Sequence, residues 1–320
     1  MLDKKNQGAK RWLRADKKGY LEISFAWIFA LIVGAFILFL AIYLSTKIIN
    51  TEQTAVDAKT AKEIGILLNP LETGFETGKV TYMVLPSETR VYNRCDAEGF
   101  FGKQVIKVSQ KIFNKWTDTD IDISFQNKYI FSESMEEGKK FNIFSKPFNF
   151  PFKVSDIIYI TPSSKKYCFI NSPSSIKDEI SSLKPENILT ENCEQNAIQV
   201  CFDGGACEIN VNYGGKYVEK NGKFLYFEDD SLMYGAIFSD PETYECQLKR
   251  LMKRASNLAL LYKDKSEFVS RVGCNSEIKS LLIDLSSQAN SLQSSANLHS
   301  IAVISEEIKS ENAVSPCIIW

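Results

Sequence analysis

Residues 23–44 of the chain read ISFAWIFALIVGAFILFLAIYL, and the interpretation of the whole sequence starts from this stretch. Apart from Ser24, every residue in it is apolar, aromatic, alanine or glycine. At a rise of 1.5 Å per residue, an α-helix of this length extends about 33 Å, which matches the roughly 30 Å hydrocarbon core of a bilayer. No later stretch has this character. The sequence therefore predicts one transmembrane helix within residues 20–49, with the lipid bilayer as its partner.

The charges on either side of this helix predict its orientation. Residues 1–19 form a basic arm in which a cluster of lysines and arginines is opposed only by Asp3 and Asp16. Because positively charged flanks remain in the cytoplasm, the N-terminus is expected there and the C-terminal part outside the cell. A cleaved signal peptide is the competing interpretation, but its apolar core would be about 7–15 residues long and would end in a small-x-small site. The longer run favours a retained single-pass anchor.

Composition limits the classes of partner. Charged residues make up 24% of the 320 residues and the formal net charge is −1. Such a chain has no global basic field, so no nucleic-acid partner is expected.

The cysteines predict the compartment of the region after the anchor. There are eight of them, an even number, which in an oxidising compartment indicates up to four disulfides. A zinc site would instead require a C-x-x-C pair or several histidines, but the closest cysteine pair is Cys201 and Cys207, and the only histidine is His299. We expect a Cys201–Cys207 disulfide around the turn at residues 202–206 and leave the other pairings open. The disulfide candidates are Cys95, Cys168, Cys193, Cys201, Cys207, Cys246, Cys274 and Cys317.

Three further regions follow the basic arm and the anchor helix. Residues 50–70 form a predicted helical stalk, because alanines recur at helical spacing and Pro70 closes the segment. No helix breaker lies between the anchor and this stretch. The anchor and stalk are therefore predicted to form one continuous helix over residues 22–68. Residues 71–228 form a predicted β-rich ectodomain, in which residues 78–171 alternate with period two and a second group of strands follows a short helix at residues 174–183. Asn221-Gly222 indicates a hairpin, and Leu85-Pro86-Ser87 and Glu137-Gly138 indicate turns. Residues 229–320 are helical, with a helix beginning near Pro241.

The predicted fold class is accordingly α+β. A long N-terminal transmembrane helix continues into an extracytoplasmic β-rich domain, which is followed by a C-terminal helical bundle, and the whole is disulfide-bonded.

The sequence contains little that indicates chemistry. It lacks G-x-S-x-G, P-loop, H-E-x-x-H and G-x-G-x-x-G motifs, so we expect no catalytic residue, no cofactor-binding residue and no metal site. Residues 228–230 (EDD) could contribute to a calcium site, but helix capping by Asp229 or Asp230 is favoured. A basic stripe on the helix after Pro241 (Lys249, Arg250, Lys253 and Arg254) is interpreted as a solvent-exposed face. Alternating phenylalanines at residues 144, 148, 150 and 152 are interpreted as one buried strand face.

The anchor helix carries a spacing that favours helix packing. Ala26, Ala30 and Gly34 are four residues apart, and small residues at this spacing allow membrane helices to approach closely. Self-association through this face is therefore a modest expectation.

The residues KKGYLEISF at positions 17–25 resemble the N-terminus of archaeal type IV pilin-like proteins. The resemblance rests on a basic pair, a glycine and a long apolar helix with one early glutamate. It implies cleavage by a prepilin peptidase between Gly19 and Tyr20, after which the helix becomes the spine of a filament. The chain departs from the pattern in one respect. Glu22 is the third residue after the glycine, and Ser24 occupies the fifth position, where the family has its glutamate.

The remainder of the chain, including RCDAEGFFGKQVIKVSQ and VCFDGGACEINVNYGG, is similar to membrane-anchored proteins of small-genome (DPANN-type) archaea. That resemblance implies no activity. The sequence therefore supports an extracytoplasmic structural or adhesive surface protein with a possible surface protein partner. The alternatives are a pilin-like filament subunit processed after Gly19 and, with less support, an enzyme of the cell envelope.

Overall fold

The computed structural model describes residues 25–68, 78–112, 115–271, 273 and 277–320. It has the α+β composition expected from the sequence, with an N-terminal apolar helix, a β-rich middle and C-terminal helices. The chain divides into two compact units, with the boundary between Gln53 and Thr54. The processing residues Gly19, Tyr20 and Glu22 lie outside the described residues, as does the rest of the basic arm.

Helix α1 spans Phe25–Leu68 without interruption, which confirms the predicted continuity of anchor and stalk over these residues. Within it, Phe25–Ile48 is the one segment among the described residues that is long and apolar enough to cross a membrane, and none of it is buried within the structure. Its length and composition meet the requirements for a span. Ala26, Ala30 and Gly34 are all exposed along it, and their role in packing stays a prediction.

The first sheet, called sheet one, contains six strands in the order β3-β2-β1-β5-β6-β4. Neighbouring strands are antiparallel, except that β4 and β6 are parallel. The strand bounds are β1 Lys79–Asp96, β2 Lys103–Ile112, β3 Lys115–Phe125, β4 Tyr129–Phe131, β5 Met135–Asn149 and β6 Lys153–Pro162.

Two turns predicted within sheet one are wrong. Leu85-Pro86-Ser87 lies inside β1 and Glu137-Gly138 lies inside β5. The β1–β5 pairing is interrupted between Val84 and Thr89 and then resumes. Because proline lacks an N–H for the ladder, an irregularity of this kind accommodates Pro86 without ending the strand.

Sheet one curls so that its two edges approach a common core. Ile130 on edge strand β4 belongs to a cluster of buried aliphatic and aromatic residues, and Ile123 and Phe125 on the opposite edge strand β3 pack against the same cluster. The side-chain amide of Asn93, on central strand β1, donates to Ser132 Oγ at 2.8 Å, just beyond β4. The sheet therefore encloses a small core of its own.

Sheet two has the order β12-β11-β10-β9-β7-β8, with parallel pairing among β7 to β10 and antiparallel pairing from β10 to β12. The hairpin predicted at Asn221-Gly222 is confirmed, since both residues have positive φ (53° and 70°) and join β11 to β12. The bounds are β7 Tyr167–Ile170, α2 Ser174–Leu183, β8 Ile188–Leu189, β9 Ile198–Phe202, β10 Ile209–Asn212, β11 Tyr217–Lys220 and β12 Lys223–Tyr226.

The C-terminal helices pack with both sheets around the larger hydrophobic core. The phenylalanines at residues 144, 148, 150 and 152 are all buried there, as expected, but they do not share one strand, because β5 ends at Asn149 and a cis Phe150–Pro151 bond follows. Trp320 at the C-terminal end packs against Phe152 and Tyr262. The helices are α3 Asp230–Phe238, α4 Pro241–Arg271, α5 Lys279–Asn290 and α6 Leu298–Val314, with a 3-10 turn at Ser295–Asn297 before the last.

Three disulfides join cysteines that both lie among the described residues: Cys95–Cys246, Cys168–Cys193 and Cys201–Cys207. The last confirms the pairing predicted from sequence. Cys317 is also disulfide-bonded, while Cys274 lies outside the described residues.

Candidate functional site

Five charged side chains, two of them buried, gather where the two sheets and helices α3 and α4 meet. We call this group the seam cluster and define it as Glu133, Glu136, Lys165, Lys220 and Asp240. The two glutamates come from the loop after β4 and the start of β5, while Lys165 lies in the turn between β6 and β7. Lys220 ends β11 in sheet two, and Asp240 lies between α3 and α4.

Contacts within the seam cluster centre on the two lysines. Lys165 Nζ contacts an oxygen of Glu133 and lies 2.7 Å from Glu136 Oε2. Lys220 Nζ donates to the carbonyl oxygens of Ile237 and Ser239, both at 3.1 Å, and lies 3.7 Å from Glu133 Oε1. A cation at the C-terminus of α3 interacts favourably with its helix dipole. Asp240 accepts a hydrogen bond from the backbone N–H of Ser134.

Burial changes the proton affinity of these groups. Glu136 is only 2% exposed, and burial, partly opposed by Lys165, raises its pKa to about 7. Burial also lowers the pKa of Lys220. Burial also acts to lower the pKa of Lys165. The hydrogen bonds to Glu133 and Glu136 outweigh this effect, so the pKa of Lys165 is raised. The seam cluster therefore contains a carboxyl group that can exchange a proton near neutral pH.

Two clefts among the described residues are lined by other groups than Glu136. One cleft of about 430 Å³ is lined by residues that include Glu88, Glu137 and Ser163, and another of about 500 Å³ by residues that include Asp96 and Phe100.

A second buried network holds helix α4 against sheet one. Arg250 has no exposed surface, and its Nη1 donates to the carbonyl oxygen of Lys128 and to Gln247 Oε1, both at 2.8 Å. Its Nη2 donates to the carbonyl of Gln126 at 3.0 Å, and the guanidinium lies 4.8 Å from the ring centre of Tyr129. Burial lowers the pKa of Arg250 to about 10.

The interpretation of the basic stripe as a solvent-exposed face is therefore wrong. Besides Arg250, Lys253 Nζ donates to the carbonyl oxygens of Ala97 and Gly99 (2.5 and 2.9 Å), and Arg254 Nε donates to that of Val154 at 2.8 Å. These long cationic side chains bond backbone carbonyls of sheet one and its β1–β2 hairpin, rather than remaining in solvent.

The same contacts fix the β1–β2 hairpin tip, residues 96–102, which exposes an aromatic side chain. The Cys95–Cys246 disulfide lies at its base. Gly102 has φ +61°, and a Cβ there would lie 2.4 Å from the carbonyl oxygen of Asp96, so this position requires glycine. Phe100 at the tip is 70% exposed and packs edge-on against Phe101 at 4.6 Å. The hairpin thus presents a rigid aromatic side chain to solvent.

The sequence-predicted polar residues have mostly structural roles. Asp229 caps α3, accepting from the backbone N–H of Leu232 at 2.9 Å, which confirms the capping prediction. Burial raises the pKa of Asp229 to about 6. No group of three or more metal-ligating residues occurs in the described part of the chain. His299 is largely exposed, with its Nδ1 3.1 Å from a Glu228 oxygen.

The seam cluster itself was not found from the sequence. Its members are spread between residues 133 and 240 and belong to no spaced motif. Comparison with known proteins adds no assignment, since no family model, curated protein or solved structure matches this chain.

Proposed function

We propose that this protein is a membrane-anchored, extracytoplasmic surface protein with a structural or adhesive role and without catalysis. The observation that carries the proposal is the wholly exposed apolar segment Phe25–Ile48 in a chain whose folded domain is disulfide-bonded, with three disulfides between described cysteines. An apolar surface of that length requires lipid, and stable disulfides require an oxidising compartment.

The flanking residues support a spanning anchor with its C-terminal side outside the cell. Trp27 and Tyr43, near the two ends of the segment, are 70% and 52% exposed, and they are separated by about 24 Å along the helix axis. Aromatic side chains at these depths favour the two membrane interfaces. The basic arm before the helix favours a cytoplasmic N-terminus.

The adhesive role is supported by the hairpin tip. Exposed aromatic side chains on rigid supports are typical of binding hot spots, because little conformational entropy is lost when they bind. Phe100 has this character, held by the Cys95–Cys246 disulfide and by Lys253. A surface protein partner would be expected to contact the molecule there.

The alternative, a pilin-like filament subunit, is favoured by one specific observation. Helix α1 continues unbroken from the apolar segment to Leu68, and Ala26, Ala30 and Gly34 are exposed on its apolar part. A long helix with small residues on its surface can pack against copies of itself. The further requirement is cleavage between Gly19 and Tyr20.

The test is the intact mass of the protein extracted from its native membranes, measured with and without reductant after alkylation of free thiols. A full-length mass supports the anchored surface protein, whereas loss of residues 1–19 supports the pilin-like subunit. Alkylation of several cysteines without reductant would contradict an oxidising location. Protease added to intact cells should remove the domain that follows α1, and a fully protected domain would refute the proposed orientation.

A further inference from the structure

Glu136 lies in a position where its charge is poorly balanced. It is the second residue of β5 and is 2% exposed, so its carboxylate has almost no access to water. The ammonium group nearest to it, that of Lys165, also contacts Glu133. Lys220 directs hydrogen bonds to the carbonyl oxygens of Ile237 and Ser239. Two carboxylates therefore depend mainly on one shared lysine.

Protonation of Glu136 would remove the competition of two carboxylates for Lys165, and the contact between Lys165 and Glu133 would remain. The buried hydroxyl of Tyr167, at the start of β7, and Glu136 Oε1 both lack hydrogen-bond partners among the residues that the structure describes. A neutral carboxyl group adds one O–H donor to this region and removes a buried negative charge. Asp240 and Glu133 then remain as the acidic groups facing Lys165 and Lys220.

One contact of the seam cluster joins separate parts of the fold, since Glu133 Oε1 lies 3.7 Å from Lys220 Nζ. Glu133 and Glu136 belong to sheet one and the loop that precedes β5, whereas Lys220 and Tyr167 belong to sheet two. We propose that the seam cluster is a proton-operated clasp, which holds the two sheets together more firmly when Glu136 is protonated than when it is ionised.

The sign follows from proton linkage. The pKa of Glu136 is raised to about 7 in the folded protein, so between its ordinary value and 7 the folded state binds a proton that the unfolded state has released. Lowering the pH through this window therefore favours the folded state. From pH 8 to pH 6, Glu136 alone should lower the unfolding equilibrium constant about tenfold.

The first experiment compares full-length wild type, Glu136→Gln and Glu133→Gln in detergent micelles by chemical unfolding at pH 6 and pH 8. Glu136→Gln should lose this contribution, so the factor by which its unfolding equilibrium constant changes between pH 6 and pH 8 should be about ten times smaller than the wild-type factor. Glu133→Gln is the matched control. It removes the partially exposed glutamate from the same lysine and should be less stable than wild type. It should keep most of the pH dependence, because burial, the largest cause of the raised pKa of Glu136, is unchanged. Equal pH dependence in wild type and Glu136→Gln would overturn the proposal.

Hydrogen exchange separates a clasp from a change in general stability. After correction for intrinsic exchange rates, peptides covering residues 132–140, 165–170 and 217–221 should gain protection from pH 8 to pH 6 in wild type and not in Glu136→Gln. Gains spread evenly over the domain would refute a local clasp.

A third measurement covers the case in which Glu136→Gln does not fold. Infrared difference spectra of the Asp229→Asn variant, which lacks the acid whose pKa burial raises to about 6, should show a buried carboxylic C=O band that disappears between pH 6 and pH 8. The absence of such a band would also overturn the proposal.

Discussion

Removing the Cys95–Cys246 disulfide should destabilise the domain more than removing either of the other two described disulfides. Its cysteines are separated by 151 residues, against 25 for Cys168–Cys193 and 6 for Cys201–Cys207. In the chain-entropy model, the stabilisation grows with the logarithm of the loop length that a disulfide closes. The model gives about 5 kcal/mol for the longest loop, about 3.5 kcal/mol for the middle one and about 2 kcal/mol for the shortest.

The perturbation is the double substitution Cys95→Ala with Cys246→Ala, and the matched control is Cys201→Ala with Cys207→Ala. Both variants remove two sulfur atoms and one disulfide, so their difference of about 3 kcal/mol reports mainly the difference in loop length. Hydrogen bonds from Arg250 and Lys253 also hold the β1–β2 hairpin against α4, so the native contact should persist without the disulfide. The loss should therefore come from the greater freedom of the unfolded chain.

The assay is guanidinium unfolding of the full-length protein in micelles, followed by near-ultraviolet circular dichroism. The packing of Trp320 against Phe152 and Tyr262 gives the folded domain an aromatic signal. Equal losses in the two double variants, or a larger loss in the Cys201–Cys207 variant, would refute the loop-length reasoning.

Three further predictions concern single side chains. Arg250→Met should lower the free energy of unfolding by about 3 kcal/mol, because it leaves buried carbonyl oxygens without donors. A loss of unfolding free energy smaller than that of an exposed Lys→Met control would contradict this prediction. At pH 8, Asp229→Asn, which keeps a capping oxygen, should be about 1 kcal/mol more stable than Asp229→Ala in the same unfolding assay; equal stability would argue against the cap. Gly34→Leu should reduce crosslinking between copies in lipid vesicles, with Val33→Leu as the control, and unchanged crosslinking would exclude this face from helix packing.

Features that depend on neighbours in the chain were predictable. Asp229 caps α3 because a cap bonds a backbone N–H three residues away, and the Asn221-Gly222 turn needs only two residues with positive φ. The Cys201–Cys207 pairing follows the same principle, since a short turn brings the two cysteines together.

Features that depend on distant neighbours were not predictable. The local sequence around Arg250 is that of an exposed basic helix face, yet the side chain is buried because backbone carbonyls of residues 126 and 128 lie beside it. Pro86 has the local pattern of a turn, but pairing with β5 on both sides of the irregularity keeps it within a strand.

The sequence by itself determined the long apolar helix, the α+β class and the disulfide-bonded character of the domain, since each follows from composition or from contacts between residues close in the chain. Only the tertiary structure decided that sheet one curls around its own core and that Glu136 is buried beside Lys165. Burial and pKa depend on which distant segments exclude water from a group, and no local pattern in the sequence records that arrangement.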